Sequence, residues 1–138
     1  MSSKDERQTR ADFSERYQLR AAAEVIDEIE RLVIGDVWGS NGFTTVAEAD
    51  HMSGRLNLGN DSRLLDLGSG FGWPGLHIAR EAGCEVVVTD LPLEGLEASV
   101  HRAREENIRS LGAVACSGRY LPFADGAFDA IVHTDVLC

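Results

Sequence analysis

The chain is 138 residues long, enough for about one domain with a useful buried core, and 43% hydrophobic with 26% charged residues it has the composition of a soluble globular protein. Its net charge of -10 repels a phosphate backbone, and Lys4 is its only lysine, so nucleic acid is not the expected partner. No apolar run reaches bilayer length and the polar start from Met1 to Asp12 has no secretory core, which excludes a membrane span or signal peptide and makes the cytoplasm the expected compartment.

Residues 1–11 read as a flexible amino terminus. Asp12 with Glu15 has the form of a helix-start cap, and Ala22, Val25, Ile26, Ile29, Leu32 and Val33 then share one helical face up to a stop at Gly35. This predicts an amphipathic cover helix. Asp36 to Thr45 is a glycine-rich loop in which Trp38 and Phe43 either close over a pocket or anchor the loop to the core. Thr45 and Glu48 form a capping box for a helix to about Leu56, with Asp50 and His51 on its solvated face.

Leu64, Leu65 and Leu67 around Asp66 read as a buried parallel strand. Gly68, Gly70 and Gly72 follow, permitting positive φ and close backbone approach by a ligand. Pro74 suits a first helical turn, Leu76, Ile78 and Ala79 pack that helix, and Gly83 stops it. Glu85 to Asp90 is β-branched and too short for a helix, so a second buried strand completes a βαβ unit. Such units bind ligands beyond the carboxyl ends of their strands, where Asp66 and Asp90 sit and exposed backbone N–H groups converge.

Pro92 starts a helix in which Leu93, Leu96, Val100 and Ala103 keep helical spacing to about Asn107, with Arg102 and Arg104 on its solvated face. Ala113 to Ser117 reads as a third strand, Ala124-Asp-Gly126 as a turn, and Phe128 to His133 as a fourth strand. Right-handed crossovers place these strands in the order 3-2-1-4, with the site at the switch between the first and the fourth. Cys84, Cys116 and Cys138 are too scattered for a disulfide framework, and His51, His77, His101 and His133 show no ligand spacing, so no metal is expected.

Residue spacing alone leaves the glycine segment open. Gly70-x-Gly72-x-x-Gly75 matches the dinucleotide fingerprint with Asp90 near the ribose carboxylate spacing, which reads as an NAD(P)- or FAD-binding oxidoreductase fragment, or as a non-catalytic cofactor-binding domain. Asp66-Leu-Gly-Ser-Gly-Phe-Gly72, however, resembles the acidic-x-Gly-x-Gly-x-Gly motif of class I S-adenosylmethionine-dependent methyltransferases, and Leu121-Pro-Phe-Ala-Asp-Gly-Ala-Phe-Asp-Ala-Ile-Val132 resembles their LPF…FD stretch. The resemblance, to the type 11 group of that family, covers residues 35–138. A dinucleotide turn follows its strand directly, whereas here Gly68 and an acidic strand residue come first, and the second motif has no role in that account.

The resemblance implies an α/β fold, a doubly wound Rossmann-like sheet of order 3-2-1-4 formed by residues 63–138, with residues 12–62 as helical cover and loop in the same domain. It implies S-adenosyl-L-methionine as cofactor and methyl transfer to a small-molecule acceptor aligned with the sulfonium methyl. Gly68, Ser69, Gly70 and Gly72 would approach the methionine part, Asp66 would orient its amino group directly or through water, and Asp90 would accept the ribose hydroxyls. Leu91 would pack on adenine, and Gly118 with Arg119 would follow the third strand near the base, with Ser117 standing where the family commonly has aspartate. Thr134 would face the methyl donor beside His133, which is either a general base or a pocket-wall histidine. Trp73 and Tyr120 are either cofactor shields or packing anchors. The resemblance further implies helices and three more strands beyond Cys138, hence a truncated chain whose apolar fourth strand is an unpaired edge open to dimerisation.

Overall fold

The structure is a computed structural model that describes residues 4–20, 24–40 and 42–136. Its elements in chain order are α1 (Lys4–Arg20), α2 (Glu24–Val33), α3 (Val46–Leu56), β1 (Arg63–Leu67), α4 (Gly75–Ala82), β2 (Glu85–Asp90), α5 (Leu93–Glu105), β3 (Ser110–Ala115) and β4 (Ala130–Val132). The four strands form one parallel sheet in the order β3-β2-β1-β4.

The hydrophobic strands sit at the centre of this sheet because both of their faces are covered. Leu64, Leu65 and Asp66 of β1 pair with Val86, Val87 and Val88 of β2, and all six are buried. Leu64, Val86, Val88 and Val132 share the main core with Leu76, Ile78 and Ala79 of α4 and Leu96 and Ala103 of α5. Both crossovers step the same way along the sheet, so right-handedness sends both helices to this one face. On the edge strands cover thins out, and Leu111 and Ile131 are about half exposed.

α3 begins where the capping box places it. Thr45 Oγ1 accepts the Glu48 N–H at 3.2 Å, while Glu48 Oε2 accepts the Thr45 N–H at 2.8 Å. β3 starts at Ser110, before the expected Ala113, and β4 is confined to three residues within the expected 128–133.

The amino-terminal region departs most from expectation. Residues 4–11 lie inside α1, so Asp12 is not a helix start but an internal residue. The expected single cover helix is two helices, and Ala22 lies outside the described residues. More tellingly, α2 turns its apolar face outward: Val25, Ile29, Leu32 and Val33 are all exposed, with Leu32 at 81%, while Glu30 is buried at 5%. The physical reason is that the Glu30 carboxylate accepts three backbone N–H groups of the following loop, from Trp38, Gly39 and Ser40. Charge-assisted bonds of this kind outweigh simple apolar facing when several orphan amides are served at once.

Candidate functional site

The turn after β1 is pinned to the carboxyl end of β2. Thr89 O accepts the N–H groups of both Gly68 and Ser69, at 2.8 and 2.9 Å, and Asp90 Oδ2 accepts the Gly70 N–H at 2.7 Å. Ser69 O in turn accepts the amides of Gly72 and Trp73. Gly68 and Gly70 have φ of +74° and +54°, which a side chain would strain. The expected presentation of these amides to a ligand is therefore corrected, because five of them are spent inside the protein. What remains beside the turn is the free acceptor capacity of Asp90, since Val136 borders Gly68, Tyr17 borders Gly70, and Gly72 is packed against Leu76 and Ser99.

Asp90 is held by both of its oxygens, since Oδ1 accepts the Leu91 N–H at 2.7 Å. Burial pushes its carboxyl above the ordinary range, and the amides of Leu91 and Gly70 pull it back. Asp66 is more enclosed, at 1% exposure, and its Oδ2 accepts the Gly75 N–H at 2.8 Å at the start of α4. Burial pushes the Asp66 carboxyl up to about 8, and the nearby Asp90 charge adds to this. Asp66 is thus mainly protonated at neutral pH and faces inward. The hydroxyl of Ser69 is buried with no hydrogen-bond partner among the described residues.

Two residues that sequence reasoning missed stand over this turn. Tyr17 of α1 is buried, its ring centroid lies 4.7 Å from that of Phe71, and its hydroxyl is 3.5 Å from Asp90 Oδ2. Val136 stands over Gly68, where a Cβ would come within 2.7 Å of it. Nothing in the sequence marked Tyr17, which sits in a helix without apolar periodicity, and only its aromatic nature hinted at burial.

Of the other expected residues, Leu91 and Thr134 are half-buried, and Gly118 and Arg119 are exposed in the turn after β3. Ser117 Oγ donates to Glu6 Oε1 at 2.5 Å and accepts the Arg119 N–H, so α1 also reaches this turn. His133 is exposed just after β4. Asp135 Oδ2 accepts the N–H groups of Phe43 and Thr44 and the Thr44 hydroxyl, latching the loop after α2 to the end of β4.

Trp38 and Trp73 are packing anchors: both are buried, with ring centroids 5.0 Å apart, and Trp73 Nε1 donates to Thr44 O. Phe43 is exposed. Arg102 departs from the solvated face expected for it, lying over the Trp38 ring at 4.4 Å and donating to Val37 O. Asp50 is exposed as expected, and from that face it bonds the buried His77 Nε2 at 2.7 Å. Among the described residues no three His, Cys, Asp or Glu side chains are grouped as a metal site, and no helix is long and apolar enough to cross a membrane.

A family model described as a methyltransferase domain matches residues 64–138. The glycine/sarcosine/dimethylglycine N-methyltransferase of Actinopolyspora halophila is 29% identical over 115 residues, covering 72% of this chain and 20% of that protein. The sarcosine/dimethylglycine N-methyltransferase of Halorhodospira halochloris is 30% identical over 79 residues, covering 56% of this chain and 28% of that protein. The chain therefore spans under a third of the length of these relatives. Among solved structures, an S-adenosylmethionine-dependent methyltransferase from Geobacter sulfurreducens, in complex with S-adenosyl-L-homocysteine, superposes with a TM-score of 0.57 at 22% identity, over 67% of this chain and 37% of that one, which shows the shared fold. With the glycine turn, the carboxylate ending β2 and the strand order all on one parallel sheet, the chain belongs to the methyltransferase domain family.

Proposed function

We propose that this chain holds S-adenosyl-L-methionine between its glycine turn and Asp90, and that the protein it represents methylates the nitrogen of a small amine. The observation that carries the cofactor assignment is the fixed carboxylate of Asp90, which after taking the Gly70 and Leu91 amides keeps an open acceptor position on Oδ1 and shares its second position on Oδ2 only with the Tyr17 hydroxyl at 3.5 Å. A ribose presents a pair of neighbouring hydroxyls that such a carboxylate suits. Ser69 fits the same group, because its buried hydroxyl has a donor and lone pairs to give.

When bound, the cofactor supplies a methyl group on a positively charged sulfur. The chain's task is to fix the geometry: Gly68 and Gly70 lack the side chains that would fill the space now bordered by Val136 and Tyr17, while Gly72 lets the turn pack against Leu76 and Ser99. Leu91, Gly118, Arg119 and Thr134 belong to the turns after β2, β3 and β4 that border the same edge of the sheet. Asp66 supports the site through the start of α4 and, being largely protonated, offers a hydrogen bond rather than a full charge. His133 is the side chain after β4 suited to take a proton from an ammonium acceptor. The amine reading rests on the two relatives named for N-methylation of glycine derivatives.

Thermal shift with S-adenosylhomocysteine, NAD, NADP and FAD tests the cofactor. At a hundred times its dissociation constant the adenosyl ligand should add about 2.7 kcal/mol, and Asp90→Ala should remove most of that gain. Stabilisation by a nicotinamide or flavin alone would favour the oxidoreductase reading. Transfer of labelled methyl to sarcosine and other small amines, against matched alcohols and carboxylic acids, tests the acceptor.

A further inference from the structure

α1 is strapped across the carboxyl edge of the sheet by contacts with the turn after β3 and with both ends of the β2–α5 connection. Glu6 accepts from Ser117 after β3, Ser14 and Gln18 donate to Glu94 at the start of α5, and Tyr17 reaches Asp90 after β2. Most other α1 side chains are exposed, so Tyr17, at 4% exposure, is the deepest point of the strap. Its hydroxyl lies 3.1 Å from the point where a side chain at Gly70 would begin, directly above the turn, and its ring rests on Phe71.

We infer that Tyr17 is the gating residue of this site: its phenol occupies the acceptor position on Asp90 that a nucleoside hydroxyl takes, so ligand and α1 compete for one carboxylate. The inference rests on the reading of Asp90 as the ribose acceptor. A phenol and a secondary alcohol are the same kind of donor to a carboxylate, which makes the exchange close to one hydrogen bond for another. The strap is suited to lifting, because its Ser14 and Gln18 hydrogen bonds lie at exposed or half-exposed positions and most of its side chains are exposed, and segments with few buried apolar contacts open at low cost.

Calorimetric titration of the 138-residue chain with S-adenosylhomocysteine tests this, in the wild type and in Tyr17→Phe, Tyr17→Ala and Asp90→Ala. Tyr17→Phe keeps the ring packing and removes only the competing hydroxyl, so its affinity should rise about two- to five-fold. Tyr17→Ala, which removes the hydroxyl together with the ring, should also bind more tightly than the wild type. A purely structural tyrosine would give the opposite sign, weaker binding in both variants. Unchanged or weaker binding in Tyr17→Phe, with binding lost in Asp90→Ala, overturns the gate and leaves the Asp90 assignment standing. Unchanged binding in Asp90→Ala, or no binding by any of the chains, overturns both. Binding by the Tyr17 variants with none by the wild type supports the gate in its strongest form.

Discussion

Glu30 fixes the backbone of Trp38. Its Oε1 accepts the Trp38 N–H at 3.1 Å and the Ser40 N–H at 2.7 Å, and its Oε2 accepts the Gly39 N–H at 3.1 Å. The indole so placed packs against Trp73, meets His77 edge-on, and lies under the Arg102 guanidinium. One buried carboxylate thus joins α2, the loop after it, α4 and α5, and it does so at the cost of turning the apolar side of α2 outward.

Glu30→Ala leaves three amides without their acceptor in a poorly hydrated place. The expected loss of stability is about 3 kcal/mol, read as a lower urea midpoint. Glu30→Gln keeps one acceptor oxygen and sets an amide NH2 against an N–H, so it should fall between the two. A loss under about 0.5 kcal/mol for the alanine variant would mean that solvent serves these amides as well as the carboxylate does.

Asp66 gives the protein a pH dependence of definite sign. Its carboxyl titrates at about 8 in the fold and near 4 when unfolded, so between these values folding takes up a proton. The stability it contributes is complete below about pH 4, declines as pH rises towards 8, and changes no further above that. Asp66→Asn keeps an acceptor for the Gly75 N–H and cannot ionise. Urea unfolding at pH 5 and pH 8 should show the wild type losing at least about 1 kcal/mol more than the variant over that interval. Asp90, raised by burial in the same direction, leaves a smaller slope in both. Equal slopes would show that Asp66 is ionised in the folded protein.

What could be read from the sequence was whatever is local. The capping box at Thr45, the apolar runs of β1 and β2 and the glycine turn are set by neighbours in the chain, and crossover handedness then fixed the strand order. Asp90 was legible for the same reason, as a carboxylate ending a strand beside that turn. The orientation of α2 was not, because periodicity identifies the apolar side of a helix but not a glutamate whose partners lie eight to ten residues on. Tyr17 and Asp135 were missed through long-range pairing: the first meets Asp90 across 73 residues and the second meets Thr44 across 91, distances over which no spacing rule operates.

Asp135 combines two requirements that separate its variants. Its φ is +57°, a left-handed conformation that asparagine and aspartate tolerate better than alanine, and its Oδ2 accepts three hydrogen bonds from Phe43 and Thr44. Asp135→Asn keeps the conformation and one acceptor oxygen, so it should cost under about 1 kcal/mol. Asp135→Ala loses the acceptor and strains the backbone, for about 2 kcal/mol together. Because Trp73 Nε1 bonds Thr44 O, the loosened loop also frees that indole. Hydrogen exchange should therefore quicken at the Phe43 and Thr44 amides and at the Trp73 indole in the alanine variant, and much less in the asparagine variant. Equal exchange in the two variants would show that the latch is held by backbone packing and not by the carboxylate.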